Sequence, residues 1–261
     1  MHDGDVLDDA TMLAFARETR LSETTFVQRA QVEGADYRNR IWWMNGELPF
    51  AGHPSLGTAV AVALQRGQRH ASFVQQTPAG LQPIDVAFVS ETVARATMLQ
   101  EPLVLGAELG AAALSAVGLE PGDGDAELPA QVASTGLTTA LIPVASADAL
   151  ARCRPDRATL YAFLSAHQCG TAYVVHVDRA RAIVQARSFF IDPGSLSEDP
   201  ATGSAAGALC GFLSSRLGID RITVHQGIAM GRPSRIDAQI EGDRVRVGGD
   251  VVVLSRGTLT L

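Results

Sequence analysis

The pattern of apolar and polar positions divides the chain into alternating helices and strands. Met12, Leu13, Phe15 and Ala16 recur at helical spacing behind Asp8 and Asp9, which predicts a helix with an aspartate cap. Arg20-Leu21-Ser22 ends it. Residues 23–27 and 38–44 are rich in β-branched and aromatic side chains and predict strands, with Asn45-Gly46 as the turn after the second. Small residues and a proline then form a loop that opens into an apolar helix over 58–64. Alternating strands are expected over 72–75, 83–88 and 93–99, a short helix over 109–117, and a strand pair within 131–144. A helix over 158–166 and strands over 171–177 and 182–191 follow, then a second loop of small residues and an apolar helix over 208–217. Strands over 222–227 and 233–240 surround a turn at Met230-Gly231-Arg232-Pro233. A hairpin closes the pattern: 244–247, a turn at Gly248-Gly249-Asp250, and 251–254, with 258–261 as one more short strand.

This order contains itself twice. Subtracting 148 from positions in the second half lays Asp156, Ala158, Thr159, Ala162 and Phe163 on Asp8, Ala10, Thr11, Ala14 and Phe15. The same offset lays Tyr173-Val174-Val175 on Thr25-Phe26-Val27, Phe189-Phe190-Ile191 on Ile41-Trp42-Trp43, and the second small-residue loop on the first, with no gap from residue 8 to about 64. A repeat of this length is too long for a solenoid unit and implies two similar domains. The expected class is α+β: two similar α/β domains, each a mixed, mostly antiparallel sheet wrapped around a central helix. The expected boundaries are 1–101 and 102–261, with the last short strand crossing back to the first domain. The strand at 138–144 precedes the second helix, and its counterpart falls at negative numbers. The first domain is therefore expected to lack its opening strand, through a late start or a truncation.

A chain of 261 residues with 46% apolar content can bury two cores of this kind. The formal charge is −7, and the 21 basic residues, all of them arginine, are scattered, which argues against a nucleic-acid partner. The longest apolar runs are too short to span a bilayer, and no signal peptide opens the chain, so no membrane role is expected. Cys153, Cys169 and Cys210 are odd in number and lack metal-ligand spacing, so they read as core residues in a reducing, cytoplasmic setting, with no metal site.

Three side chains are candidates for chemistry. Glu23 stands in the otherwise uncharged stretch 21–27, and its repeat partner is Thr171, so the architecture does not require an acid there. Against apolar walls a carboxylate can exchange protons near neutral pH; in the open it is a solvated strand-end glutamate. His53, after Gly52, can hydrogen-bond a substrate carboxylate or relay a proton, or be satisfied by backbone. Asp199 can cap its own helix, or serve as a second acid–base group opposite Glu23. The two helix starts, with Gly52, Gly203 and Ser204, suit an anion. His167, His176 and His225 have no companions at ligand spacing. No Walker loop, GxGxxG, GxSxG or HExxH is present.

Four ordered blocks resemble the phenazine biosynthesis-like (PhzF-like) isomerases: Leu21-Ser22-Glu23-Thr24-Thr25-Phe26-Val27, the run 47–59 around Pro49-Phe50-Ala51-Gly52-His53-Pro54, Glu198-Asp199-Pro200-Ala201-Thr202-Gly203-Ser204-Ala205-Ala206, and Gln226-Gly227-Ile228-Ala229-Met230-Gly231-Arg232-Pro233-Ser234. The resemblance implies the diaminopimelate-epimerase-like fold, with a site in the cleft between two similar domains. It implies that Glu23 matches the family's acid–base glutamate, that His53 and Asp199 match its assisting residues, and that backbone around Gly52, Gly203 and Ser204 holds a substrate carboxylate. It further implies a cofactor-free proton shift on a small, cyclic, carboxylate-bearing substrate, and a homodimer. Two departures stand out. The cysteine pair of racemases with this fold is missing from the two loops, and the family's opening strand with its Gly-Asn-Pro turn has no counterpart here. The alternative is a catalytically silent small-molecule-binding or interaction protein of the same fold.

Overall fold

The computed structural model describes residues 1–192 and 195–259. It separates into two compact units, Met1–Leu99 with Gly248–Leu261, and Gln100–Val247.

In unit one, α1 (Asp9–Thr19) leads to β1 (Thr24–Gln28), β2 (Tyr37–Trp43), β3 (Gly46–Leu48), α2 (Gly52–Gln65), β4 (His70–Thr77), β5 (Gly80–Phe88) and β6 (Val93–Gln100, whose last residue belongs to unit two). The sheet order is β1-β2-β4-β5-β6, with β3 paired to β2. Its only parallel pairing among these strands is β2 with β4, set by Tyr37 opposite Gln75. Ala59, Val60, Val62 and Ala63 of α2 pack against Phe73, Ile84, Val86 and Met98, so the sheet curls around this helix. The other face of β1 and β2 takes α1, with Met12 and Ala16 against Phe26 and Trp42.

Unit two repeats this plan with additions. It holds β7 (Val104–Glu108), α3 (Gly110–Ala116), β8 (Gln131–Ser134), β9 (Thr138–Pro143), α4 (Ala147–Arg152), α5 (Arg157–Ala166), β10 (Thr171–Asp178), β11 (Ile183–Asp192), β12 (Ser195–Asp199), α6 (Gly203–Leu217), β13 (Arg221–Gln226) and β14 (Ser234–Glu241). The order is β14-β13-β11-β10-β9-β8-β7, with β12 on β11. Helix α6 is buried on every side from Ala205 to Leu213, which its alanines and glycines permit by letting strands approach closely. The last strand, β15 (Arg244–Val252), carries the chain from unit two back to unit one.

The aspartate caps are where the pattern places them: Asp8 accepts from Thr11 N–H at 2.8 Å and Asp156 from Thr159 N–H at 2.9 Å. Bonds from the Thr11 side chain and backbone hold the Asp8 carboxyl below the ordinary range, and bonds from Thr159 do the same for Asp156. A lowered folded value means the stabilisation is complete above the unfolded value near pH ~4 and fades as pH falls through the folded one. Asp156→Asn should therefore flatten the acid limb of a pH-dependent melt, and an unchanged limb would remove the cap from this account.

Several expectations are corrected. Helices α2 and α6 begin at Gly52 and Gly203, about a turn or more before 58 and 208, because the small residues form the helices' first turns rather than loops; Pro54 is tolerated there since a first turn needs no N–H donor. Residues 46–48 and 195–199 are short strands, and α4 was not foreseen. Residues 244–252 are one continuous strand, not a hairpin. A Cβ on Gly248 would stand 2.4 Å from the Ala96 carbonyl oxygen, so this glycine serves close strand approach and not a turn. Of the strand expected over 258–261, Thr258 and Leu259 are irregular, and the remaining residues lie outside those described.

The repeat is also not gapless. Caps and β1/β10 keep the offset of 148, but Phe26 opposite Arg40 corresponds to Val174 opposite Arg187, an offset of 147 for the second strand (187 − 40), and the helix starts differ by 151 (203 − 52). Met1 accepts from Val27 N–H at 2.7 Å and donates its amine to the Thr25 carbonyl, a one-residue parallel bridge beside Phe26. Ile142 of β9 fills the matching register beside Val174 in unit two.

Candidate active site

Helix α1 is closed by Arg20 in the left-handed region, with φ 50°, and three residues separate it from β1. Glu23 occupies that short passage, its side chain largely buried. Its Oε2 is shielded from solvent and lies 2.9 Å from His53 Nε2, an ion pair when the imidazole carries a proton. His53 is half exposed on the first turn of α2. The bases of both residues are fastened together: Thr58 Oγ1 lies 2.7 Å from Thr25 Oγ1 and 2.8 Å from the Pro54 carbonyl, and Ser55 Oγ donates to the Ala51 carbonyl at 2.7 Å. Unit one thus brings Glu23, Gly52 and His53 together.

Unit two brings together Asp199, Gly203 and Ser204 through a buried polar network. Asp199 Oδ2 accepts from Thr202 Oγ1 at 2.7 Å and Oδ1 from Ala201 N–H at 3.2 Å. Gln226, fully buried, donates to the Asp199 carbonyl (2.7 Å) and to Thr202 Oγ1 (2.9 Å), and accepts from Thr202 N–H (3.2 Å) and Tyr173 O–H (2.9 Å). All four of its hydrogen-bonding positions are used. Burial, and then the nearby Asp199 charge, push the Tyr173 phenol well up, so it stays a donor. Asp199 therefore bends the chain just ahead of α6 without capping the helix. Gln226 and Tyr173 were missed as site-supporting residues; the signal available was that Gln226 opens the last of the four blocks.

The helix starts differ in kind. α1, α4 and α5 are capped by Asp8, Ser146 and Asp156. The starts of α2 (after Ala51) and α6 (after Thr202), like that of the short α3, have no side-chain cap, which leaves first-turn N–H groups of Gly52, His53, Gly203 and Ser204 without such an acceptor. Such groups suit a carboxylate.

The three thiols are buried and free, and burial raises Cys153 and Cys169 to about 11 and Cys210 to about 12. None sits in the two segments above, so a thiol-based exchange of protons has no support. Native protein should resist iodoacetamide at pH 8 and react fully only in denaturant; rapid loss of a thiol in the native state would contradict this. No described helix is long and apolar enough to cross a membrane, and no group of three or more His, Cys, Asp or Glu among the described residues could hold a metal ion.

Residues 1–257 match the sequence model of the phenazine biosynthesis-like proteins. A Mesorhizobium japonicum protein named as an uncharacterised isomerase is 36% identical, over 97% of this chain and 89% of its own. The trans-2,3-dihydro-3-hydroxyanthranilate isomerase of Pseudomonas fluorescens is 33% identical, over 99% of this chain and 91% of its own. Among solved structures, a predicted epimerase from Pseudomonas aeruginosa superposes with a TM-score of 0.79 at 32% identity, covering 98% of this chain and 92% of its own. A hydroxyproline epimerase from Agrobacterium vitis shares the fold at a TM-score of 0.60 and 14% identity, over 88% and 72% of the two chains. With this fold, these ordered blocks and this whole-length match, the chain belongs to the phenazine biosynthesis-like family of isomerases.

Proposed function

We propose that this isomerase moves a proton on a small, cyclic, carboxylate-bearing substrate without a cofactor, with Glu23 as the acid–base group. The observation that carries the reading is the shielded Glu23 oxygen 2.9 Å from His53 Nε2, at the foot of an uncapped helix. Glu23 takes a proton from a carbon next to a conjugated system and returns it elsewhere on that system, so no group is gained or lost. His53 orients the substrate and balances charge as it shifts. The first-turn N–H groups at Gly52, and those at Gly203 and Ser204, hold the carboxylate, and Asp199 assists the same reaction. The substrate of the Pseudomonas fluorescens relative, a dihydro-hydroxyanthranilate, has this chemistry and is the first compound to try. We further propose a homodimer working in the cytoplasm, to be checked by sedimentation and by fractionation.

The test is proton–deuterium exchange in heavy water, followed by NMR, over that compound and a panel of cyclic amino and hydroxy carboxylates. Exchange at one carbon that needs Glu23 supports the reading. Binding without exchange in any of them would replace it with a silent binder.

A further inference from the structure

Each unit contains an arginine–glutamate pair at the same place in its fold, largely withdrawn from solvent. In unit one, Arg40 of β2 grips Glu47 of β3 with two parallel bonds, Nε to Oε1 at 2.8 Å and Nη2 to Oε2 at 2.7 Å. Its third nitrogen reaches Asp9 at 2.7 Å, and the guanidinium lies 5.1 Å from the Trp42 ring centroid. In unit two, Arg187 of β11 grips Glu198 of β12 in the same fork, at 3.0 and 2.8 Å. Its third nitrogen bonds the carbonyls of Leu150 and Cys153, and the guanidinium lies 4.8 Å from Phe189. In both, the arginine stands two residues before its aromatic, and the glutamate faces that aromatic across the sheet: Trp42 with Glu47, Phe189 with Glu198.

The spacing around the pairs is informative. From aromatic to glutamate the chain takes 5 residues in unit one (47 − 42) and 9 in unit two (198 − 189), so the connection between them has drifted. From glutamate to the first helical residue it takes 5 in both (52 − 47 and 203 − 198), with a proline two residues after each glutamate. Length varies on one side of the pair and is fixed on the side that leads to the uncapped helix. A buried ion pair seldom stabilises a fold more than apolar residues of the same volume, so stability alone does not account for two such pairs. A bidentate fork, in contrast, fixes orientation.

We propose that Arg40–Glu47 and Arg187–Glu198 are positioning pairs that set the first-turn N–H groups of α2 and α6, five residues downstream, in the geometry that receives the substrate carboxylate. The inference rests on the function proposed above for what those N–H groups bind, and adds the residues that place them. Neither pair touches substrate. Both act through short, proline-stiffened segments, 47–52 and 198–203.

The experiment compares Glu47→Gln, Glu198→Gln and the apolar double variant Arg187→Met/Glu198→Leu with the parent chain. Peptide-resolved hydrogen exchange reads position directly and needs no substrate. Glu198→Gln should speed exchange over 199–207 about tenfold while the rest of unit two is unchanged, and Glu47→Gln should do the same over 50–58. With the dihydro-hydroxyanthranilate as probe, Glu198→Gln should raise KM more than it lowers kcat, and Glu47→Gln, whose segment carries His53, should lower kcat; about 10²-fold is the scale expected for a misplacement near 1 Å. The double variant should fold and keep the faster exchange. Unchanged exchange in both single variants, or parent-like exchange and KM in a folded double variant, overturns the proposal. Where Glu198→Gln does not fold, Arg187→Lys, which keeps the charge and loses the fork, is read by the same criteria. If exchange responds but no carboxylate turns over, the positioning role stands and the proposed reaction fails.

Discussion

Glu23→Gln is expected to lower turnover about 10³-fold, within the range of general acid–base catalysis, or about 4 kcal/mol in the barrier. The amide has nearly the shape of the carboxylate, so packing around it is kept. The oxygen's contact in the fold is with His53, which is half exposed, and such pairs add little stability, so the melting temperature should barely move. Substrate should still bind, because the proposed carboxylate contacts come from helix N–H groups and not from residue 23. Steady-state kinetics with a thermal melt decide the matter. A full rate in Glu23→Gln would remove this residue from the chemistry. Lost binding with intact fold would instead make it a binding group.

Gly227→Ala is expected to cost about 3 kcal/mol and to lower the melting temperature by roughly 6–12 °C. Gly227 has φ 76°, and a Cβ would stand 2.2 Å from the Arg232 carbonyl oxygen and 3.0 Å from that of Pro200. Both are backbone atoms, so the clash cannot be relieved by turning a side chain. One of them belongs to the turn after Asp199, so the damage should reach the start of α6 and raise KM as well. Gly231 is the control. It has φ 68° but open space around its missing Cβ, so Gly231→Ala should cost only about 1 kcal/mol. Equal melting temperatures for the two alanine variants would refute the crowding argument.

Much of the fold was legible because local signals agreed with each other. Asp8 and Asp156 each precede a helical apolar spacing, and each does cap a helix. The β-branched runs at β1, β10 and β13 carry their own propensity. Legibility failed where one residue type has two uses. Small residues ahead of 208 suggest a loop, whereas a Cβ on Gly207 would collide with Gln100 at 1.8 Å: this glycine lies inside α6 and makes room for a neighbour. The turn expected at Gly248-Gly249 fails for the same reason. The offset of 148 held for helix caps and β1 but could not reveal a longer connection after β11, since small-residue segments match one another at several registers.

The candidate site shows the same division. Glu23, His53 and Asp199 could be singled out by type and position, but the 2.9 Å approach of Glu23 to His53 joins residues thirty apart (53 − 23) and depends on how β1 and α2 pack. Gln226 and the arginine forks depend on cross-strand register, which the chain order does not display. What the sequence carried was the identity of the groups; their support was written in pairings.

The return of the chain at Gly248 bears on synthesis. Unit two is one unbroken stretch, Gln100–Val247, and can close its core as soon as that stretch has left the ribosome. Unit one is written in two pieces, and Val251 and Val253 of the later piece pack against its core. The half of the protein that is translated first is therefore completed last. Until then, the unit that carries Glu23 waits with its core open. A ribosome stalled on a chain in which a long flexible linker follows residue 247, so that the whole of unit two clears the exit tunnel, should hold a protease-resistant unit two and a cleavable unit one, and the full chain should protect both.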